Sequence, residues 1–210
     1  MTRGWLITFE GGEGSGKSTQ ISRLAQHLTD RGFTVLTTRE PGGTPLGERV
    51  RELLLDSRFD PDPLVELMLL EASRSDHVRH VLRPALARGE VVLCDRFADS
   101  STVYQGLVGG VPREAVRELN ELATGGLESD LTVVLDLDPR EGLRRAHDRN
   151  TLGGGASRID DRPLEYHERV RDGFLELVLS EPDRVRLVPA DGTADEVLAL
   201  ILEELPEALK

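Results

Sequence analysis

Gly11-Gly12-Glu13-Gly14-Ser15-Gly16-Lys17-Ser18 fits the pattern G-x-x-x-x-G-K-[ST]. In that pattern, backbone N–H groups wrap a phosphate, the Lys reaches the β- and γ-phosphates and the Ser hydroxyl binds Mg²⁺. Of the chain's 26 basic residues only Lys17 and the terminal Lys210 are Lys; the others are Arg. A planar guanidinium fits poorly where a compact point charge is needed, so the Lys kept at this position carries information. Its side chain is expected to be accessible to solvent.

The flanking residues support the same reading. Trp5-Leu6-Ile7-Thr8-Phe9-Glu10 has the character of a buried strand, and beyond Thr19 the residues Ile21, Leu24, Ala25 and Leu28 recur at helical spacing until Gly32. Strand, glycine loop and helix in this order deliver an anion to a helix N-terminus, where free N–H groups and the helix dipole favour negative charge.

Further elements alternate along the chain. Strands are expected at Thr34–Thr38, Val91–Cys94, Leu131–Leu135 and Val185–Val188. Between them lie a short helix with Val50, Leu53 and Leu54, and a longer one from Pro63 with Leu64, Leu67, Met68 and Ala72 on one face. The longer helix should kink or end at Pro84. Pro112 opens a helix that stops at Gly125-Gly126, and Asp138-Pro139 opens another. A Gly-rich polar stretch runs from Asn150 to Ser157, a helix spans Pro163 to about Ser180, and a C-terminal helix follows. Strands separated by helices give an α/β fold with a five-stranded parallel sheet and right-handed crossovers. With 210 residues and no evident linker, one P-loop domain spanning 1–210 is expected.

Composition bounds the partners. A net charge of −12 argues against a nucleic-acid surface, which needs a basic stripe. No apolar run is long enough for a membrane span, no signal-peptide core precedes the first strand, and a cytoplasmic protein is expected. Cys94 lies in an apolar run and reads as a small core residue. His77 and His80 form an i,i+3 pair with no further ligands nearby, which reads as a solvated helix face and not a zinc site.

A second site is expected where the third strand runs into Asp95-Arg96. At the carboxyl edge of a parallel sheet, an Asp can hold Mg²⁺ and an Arg can clamp an anion.

Several motifs together resemble the bacterial thymidylate kinases. They are Phe9-Glu10-Gly11 with the P-loop, Thr38-Arg39-Glu40-Pro41-Gly42-Gly43-Thr44, Arg74-x-x-His77-Val78, and Asp95-Arg96-Phe97-x-x-Ser100-Ser101-x-x-Tyr104-Gln105-Gly106. The resemblance implies the nucleoside monophosphate kinase fold with a mobile lid at about 149–163, transfer of the ATP γ-phosphoryl group to dTMP with Mg²⁺, and a homodimer. It implies that Gly11 to Thr19, Lys17 included, hold the ATP phosphates, with Ser18 and Asp95 serving Mg²⁺. Glu13 would face the acceptor's 3′-OH, Arg39, Glu40 and Arg51 would line the acceptor side, and Arg96 would hold the dTMP phosphate. Arg74 would donate to thymine O4, Ser100, Ser101 and Gln105 would help fix the acceptor, and Tyr104 would pack under the deoxyribose. Leu70 stands where the family usually has an aromatic ring, so the base keeps an apolar contact and loses a stacking contribution of about 0.5–1.5 kcal/mol.

The resemblance also implies a lid-arginine enzyme, because positions 12 to 15 carry no basic residue. Arg158, in Ser157-Arg158-Ile159-Asp160, would supply that charge, flanked by Arg149 and Arg162, with Gly153-Gly154-Gly155 allowing closure. Two alternatives differ in sequence. A GTPase switch needs Asn-Lys-x-Asp, which cannot occur without an internal Lys beyond Lys17, and Asp-x-x-Gly is also missing. Another small-molecule P-loop kinase shares the loop but not the Arg39–Thr44 and Ser100–Gln105 stretches.

Overall fold

The three inner strands form where the chain is apolar on both sides of the backbone, as a parallel sheet covered by helices requires, while the two edge strands are partly exposed. A computed structural model describes residues 3–149 and 158–210. Its strands are β1 (Trp5–Glu10), β2 (Val35–Arg39), β3 (Val91–Asp95), β4 (Leu131–Asp136) and β5 (Val185–Pro189). They pair in the order β2-β3-β1-β4-β5, all parallel. Each strand lies within a residue or so of the stretch expected from the sequence.

Alternation along β1 decides what each face receives. Ile7 and Phe9 pack against helix α1 (Lys17–Asp30) and helix α9 (Ala194–Glu204), through Ile21, Leu24, Leu28, Val197 and Ile201. Leu6, Thr8 and Glu10 point to the opposite face, where Leu6 joins Val78, Leu82, Leu86, Val92, Cys94 and Phe97. Thr8 and Glu10 are fully buried polar residues on that face. Cys94 is buried, as expected, and its thiol donates to the Arg96 carbonyl at 3.1 Å.

Helices α2 (Pro45–Leu55) and α3 (Pro63–His77) start at side-chain caps: Thr44 Oγ1 accepts from the Gly47 N–H and Asp62 from the Leu64 N–H. The helical path that was expected to kink or end at Pro84 is interrupted just before it. A π-helical turn at Val78–Leu82 leads into α4 (Arg83–Ala87), with Pro84 in its first turn. The wider turn accommodates a proline ring that would otherwise meet a carbonyl one turn back. Of the face expected on α3, Leu67 alone is buried. Leu64, Val65 and Met68 are 41–54% exposed, and α3 packs against α2, which exposes Leu53, and against α6 (Arg113–Thr124), which exposes Leu122.

Two helical segments directly after β3 lacked a sequence signal. Helix α5 (Ala98–Ser101) continues as a π-helical run at Thr102–Val108. Its small polar start and β-branched continuation show no clear apolar period. Helices α7 (Pro139–Arg149) and α8 (Leu164–Ser180) flank residues 150–157, so Gly153 to Gly155 and Ser157 lie outside the described residues, as does the Arg149 side chain.

Candidate functional site

The glycine loop joins β1 to α1 in a left-handed backbone that side chains disfavour. Gly14 has φ 67° and Gly16, directly before α1, has φ 94°. A Cβ on Gly14 would sit 2.0 Å from the Gly142 carbonyl oxygen, so α7 is pressed against the loop through two glycines. Lys17 is not solvent-accessible as expected. Its ammonium folds back on the loop, donating to the carbonyls of Gly11 (3.1 Å) and Gly12 (2.9 Å), and is 8% exposed. Burial lowers its pKa, and nearby Arg96 adds to the effect. The loop thus supplies internal carbonyls as stand-ins for an anion, which a phosphate can displace.

One cleft of about 840 Å³ extends from this loop. Gly14 to Thr19 line one end together with Arg145, Gly192 and Val197. Arg39, Glu40, Arg51, Glu66, Leu70, Arg74, Asp95, Arg96, Ser100, Ser101, Tyr104 and Gln105 line the remainder. Residues far apart in the chain, from Gly14 to Val197, meet there because β1, β2 and β3 end side by side and α3 crosses their carboxyl edge. Open α/β sheets bind ligands at this edge.

Four elements build the far end. Arg74 of α3 is 1% exposed and held by protein partners on all three of its nitrogens. Its Nε donates to Glu40 (2.8 Å), Nη1 to Glu71, to Ser101 Oγ (3.0 Å) and to Asn120 (2.8 Å), and Nη2 to the Phe97 carbonyl (3.0 Å). Of its five N–H donors, these partners leave one on Nη2. Glu40 also meets His77 at 2.9 Å, and the other ring nitrogen of His77 meets Thr38 at 2.7 Å. His77 is therefore a fully buried brace and not a solvated residue, while His80 stands in solvent. Its two polar neighbours come from β2 and its end, which helical periodicity on α3 cannot show.

Arg96 adopts φ 69°, and no other described residue except glycine has a positive φ. Its guanidinium lies 4.9 Å over the Tyr104 ring and donates to Glu13 (2.6 Å) and Ser100 Oγ (3.2 Å). Arg39 pairs with Glu48 at 2.9 Å, and Arg51 donates to the Pro41 carbonyl at 3.2 Å. Asp95 Oδ1 and Gln105 Oε1, both in the cleft lining, are among the buried acceptors without a hydrogen-bond partner. The Gln105 amide nitrogen donates to Glu66 at 3.2 Å.

Arg158 is brought to this end of the cleft. It is 9% exposed and donates to Asp60 (2.8 Å), to Glu66 and to the Leu54 carbonyl (3.4 Å), and Arg162 shares Asp60 at 2.6 Å. Sequence reasoning passed over Glu66, Glu71 and Asn120. Glu66, Leu70 and Arg74 fall at i, i+4 and i+8 on α3, a stripe that was visible in the sequence once the helix was placed. Among the described residues no group of three or more His, Cys, Asp or Glu could hold a metal by itself, and no helix is long and apolar enough to cross a membrane.

A phosphate-wrapping loop facing a second, arginine-lined compartment across one sheet edge defines a P-loop kinase of small molecules. The thymidylate kinase family model matches residues 9–201. The chain is 48% identical over 210 residues to a thymidylate kinase of Caulobacter vibrioides, covering all of this chain and 99% of that one. It is 49% identical over 207 residues to one of Deinococcus radiodurans, covering 99% and 98%. The crystal structure of thymidylate kinase from Ehrlichia chaffeensis superposes with a TM-score of 0.80 at 31% identity, over 97% of this chain and all of that one. The chain belongs to the thymidylate kinase family.

Proposed function

We propose that the protein transfers the γ-phosphoryl group of ATP to dTMP, giving dTDP and ADP. The observation that carries this reading is that one cleft joins the glycine loop to a compartment where an Arg74 donor and the unpartnered Gln105 carbonyl oxygen stand together. The remaining Nη2 donor of Arg74 suits thymine O4, and the unpartnered Oε1 of Gln105 suits thymine N3–H. Leu70 offers the ring an apolar wall, and Ser101 acts one step back by holding Arg74.

Arg96 holds the acceptor phosphate, with Arg39 and Arg51 adding positive charge and Glu40 bracing the compartment. Glu13 and Tyr104, which both contact Arg96, face the sugar. An oxygen of the acceptor phosphate attacks the γ-phosphorus of ATP, and the bond to the β,γ-bridging oxygen breaks. Lys17 and the loop N–H groups from Gly11 to Thr19 hold the ATP phosphates, and the charge spread over the transferring group is met by Lys17 and by Arg158 once it leaves Glu66. Arg162 accompanies Arg158, and Arg149 is the third candidate of this set. Mg²⁺ would neutralise phosphate charge, held by Ser18 and by Asp95, whose unpartnered Oδ1 suits a hard cation. The chain acts on free nucleotides in the cytoplasm, without nucleic acid or membrane, as one domain with a lid at about 149–163.

A homodimer is supported by the apolar patch of Leu53, Leu64, Val65, Met68 and Leu122. Met68→Asp should then yield monomers by light scattering. The activity is tested by coupled assays with dTMP, thymidine, CMP and shikimate as acceptors. Turnover with dTMP far above the others is expected, and preference for any other acceptor would overturn the reading.

A further inference from the structure

Arg96 carries a positive φ without being glycine, a strained conformation that persists only where its surroundings enforce it. The enforcing group is Glu10. The alternation of β1 turns this residue away from α1 and under the loop that follows β3, where it is fully buried. Its Oε1 accepts the Phe97 N–H at 2.8 Å, which fixes the peptide after Arg96. Its Oε2 accepts the Ser100 hydroxyl at 2.6 Å. With its proton committed to Glu10, Ser100 Oγ has lone pairs left, and one accepts from Arg96 Nη1 at 3.2 Å. The same Nη1 lies 3.9 Å from Glu10 Oε2. One carboxylate therefore holds both the backbone and the head of Arg96, while Glu13 and the Tyr104 ring steady the guanidinium from its other sides.

We infer that Glu10 is a positioning residue for acceptor-phosphate recognition: through Phe97 and Ser100 it holds the Arg96 guanidinium in the orientation that grips the phosphate of the acceptor nucleotide. A carboxylate is needed there because it alone accepts two hydrogen bonds and donates none, which forces the Ser100 hydroxyl to point away from Arg96. An amide presents an N–H₂ to Ser100 and lets the hydroxyl turn toward the guanidinium, donor against donor. The inference rests on Arg96 being the phosphate clamp.

The test is calorimetric titration of dTMP and of thymidine, which lacks the phosphate, into wild type, Glu10→Gln, Arg96→Ala and the double variant, at about pH 8, where the buried carboxyl is ionised. Losing a charge-assisted hydrogen bond that orients the clamp should weaken dTMP by about tenfold or more. Thymidine should change less than about twofold, and the dTMP loss should vanish when Arg96 is already Ala. If Glu10→Gln fails to fold, Ser100→Ala breaks the same bridge from its partly exposed end and should show the same dTMP-specific loss. Equal losses for dTMP and thymidine, or a Glu10→Gln effect that persists beside Arg96→Ala, would overturn the inference and leave Glu10 a core residue. An Arg96→Ala variant that keeps the wild-type ratio of dTMP to thymidine affinity would instead refute the clamp itself.

Discussion

The two ends of the cleft are made of different material. The glycine-loop end is backbone: its N–H groups, two left-handed glycines and a Lys folded onto loop carbonyls belong to residues within eight positions of one another. The far end is side chain: Arg74, Arg96 and Arg158 reach it from α3, from the end of β3 and from the segment before α8, each held by carboxylates of other elements. Backbone recognition suits a phosphate chain common to many substrates, whereas side chains locked by second partners can distinguish one acceptor from another. The difference implies that substitutions at the loop end act on nucleotide phosphates generally, and those at the far end act on acceptor identity or on its coupling to transfer.

Arg158 is the most informative breach of this division, because it belongs structurally to the far end yet is assigned to the transferred phosphate. Arg158→Ala should lower kcat by about 10³–10⁵-fold while changing either KM much less, and Arg162→Ala should do less. Steady-state kinetics in which Arg162 matters more would exchange their roles. Lys17→Ala should lower kcat by about 10²–10³-fold with the fold retained by circular dichroism, since removing one preorganised charge has costs of that order. Lys17→Arg should recover little, because a planar fork cannot fold onto the Gly11 and Gly12 carbonyls as an ammonium does.

The junction between the two ends has its own signature in pH. Burial raises the Glu10 pKa to about 7 from an ordinary 4.5, against the opposing pull of Arg96. The folded state then binds more protons than the unfolded chain between these values. Glu10's contribution to stability is therefore full below about pH 4.5 and is lost as pH rises through 7. The stability difference between wild type and Glu10→Gln should fall by up to about 3 kcal/mol from pH 5 to pH 8, at about 1.36 kcal/mol per pKa unit. Urea unfolding across that range measures it, and a pH-independent difference would show that Glu10 titrates normally.

A smaller effect should fall on the loop end alone. A Cβ added at Gly142 would lie 2.4 Å from the Glu13 carbonyl oxygen, so Gly142→Ala must push α7 or the loop aside. Overpacking of this kind costs about 1–3 kcal/mol, which should appear as a rise of about 5–150-fold in the KM for ATP and little change for dTMP. Equal changes in both would mean that the two ends are mechanically one.

The same contrast explains what could be read from sequence. The loop end was legible because a local backbone geometry demands glycines at fixed spacing, the three inner strands because double-sided burial writes continuous apolar runs, and the edge strands from their β-branched and apolar residues between turn signals. At the far end Asp95-Arg96 was legible from its place at the end of the third strand, whereas Arg39 and Arg74 were legible only through resemblance to a family, since they are far apart in the chain and nothing local marks them as neighbours. The partners that hold them stayed hidden for the same reason. Glu10 reads as the last residue of a strand, Glu66 and Glu71 as solvated helix charges, and His77 as half of an exposed pair, until topology places β1, β2 and α3 together. Helix α5 and the π-helical run after it were missed because Ala98 to Val108 follow neither a helical nor a strand period. Leu64, Leu67, Met68 and Ala72 were expected on one face, yet Leu67 alone is buried, because periodicity marks a helix face without saying how much of it is covered.

The central claim is that the far end reads a thymine edge through one donor on Arg74 and one acceptor on Gln105, and the most direct measurement is kcat/KM for dTMP, dUMP and dCMP. Loss of the 5-methyl group from an apolar pocket is worth about 10–200-fold, and Leu70 in place of a ring favours the low end, so dUMP should remain a measurable acceptor. Cytosine places an amino group against the Arg74 donor and lacks the N3 proton that Gln105 would accept, leaving buried groups unpaired, so dCMP should be rejected far more strongly. Equal rejection of dUMP and dCMP would contradict the account and return Arg74 to a purely structural role.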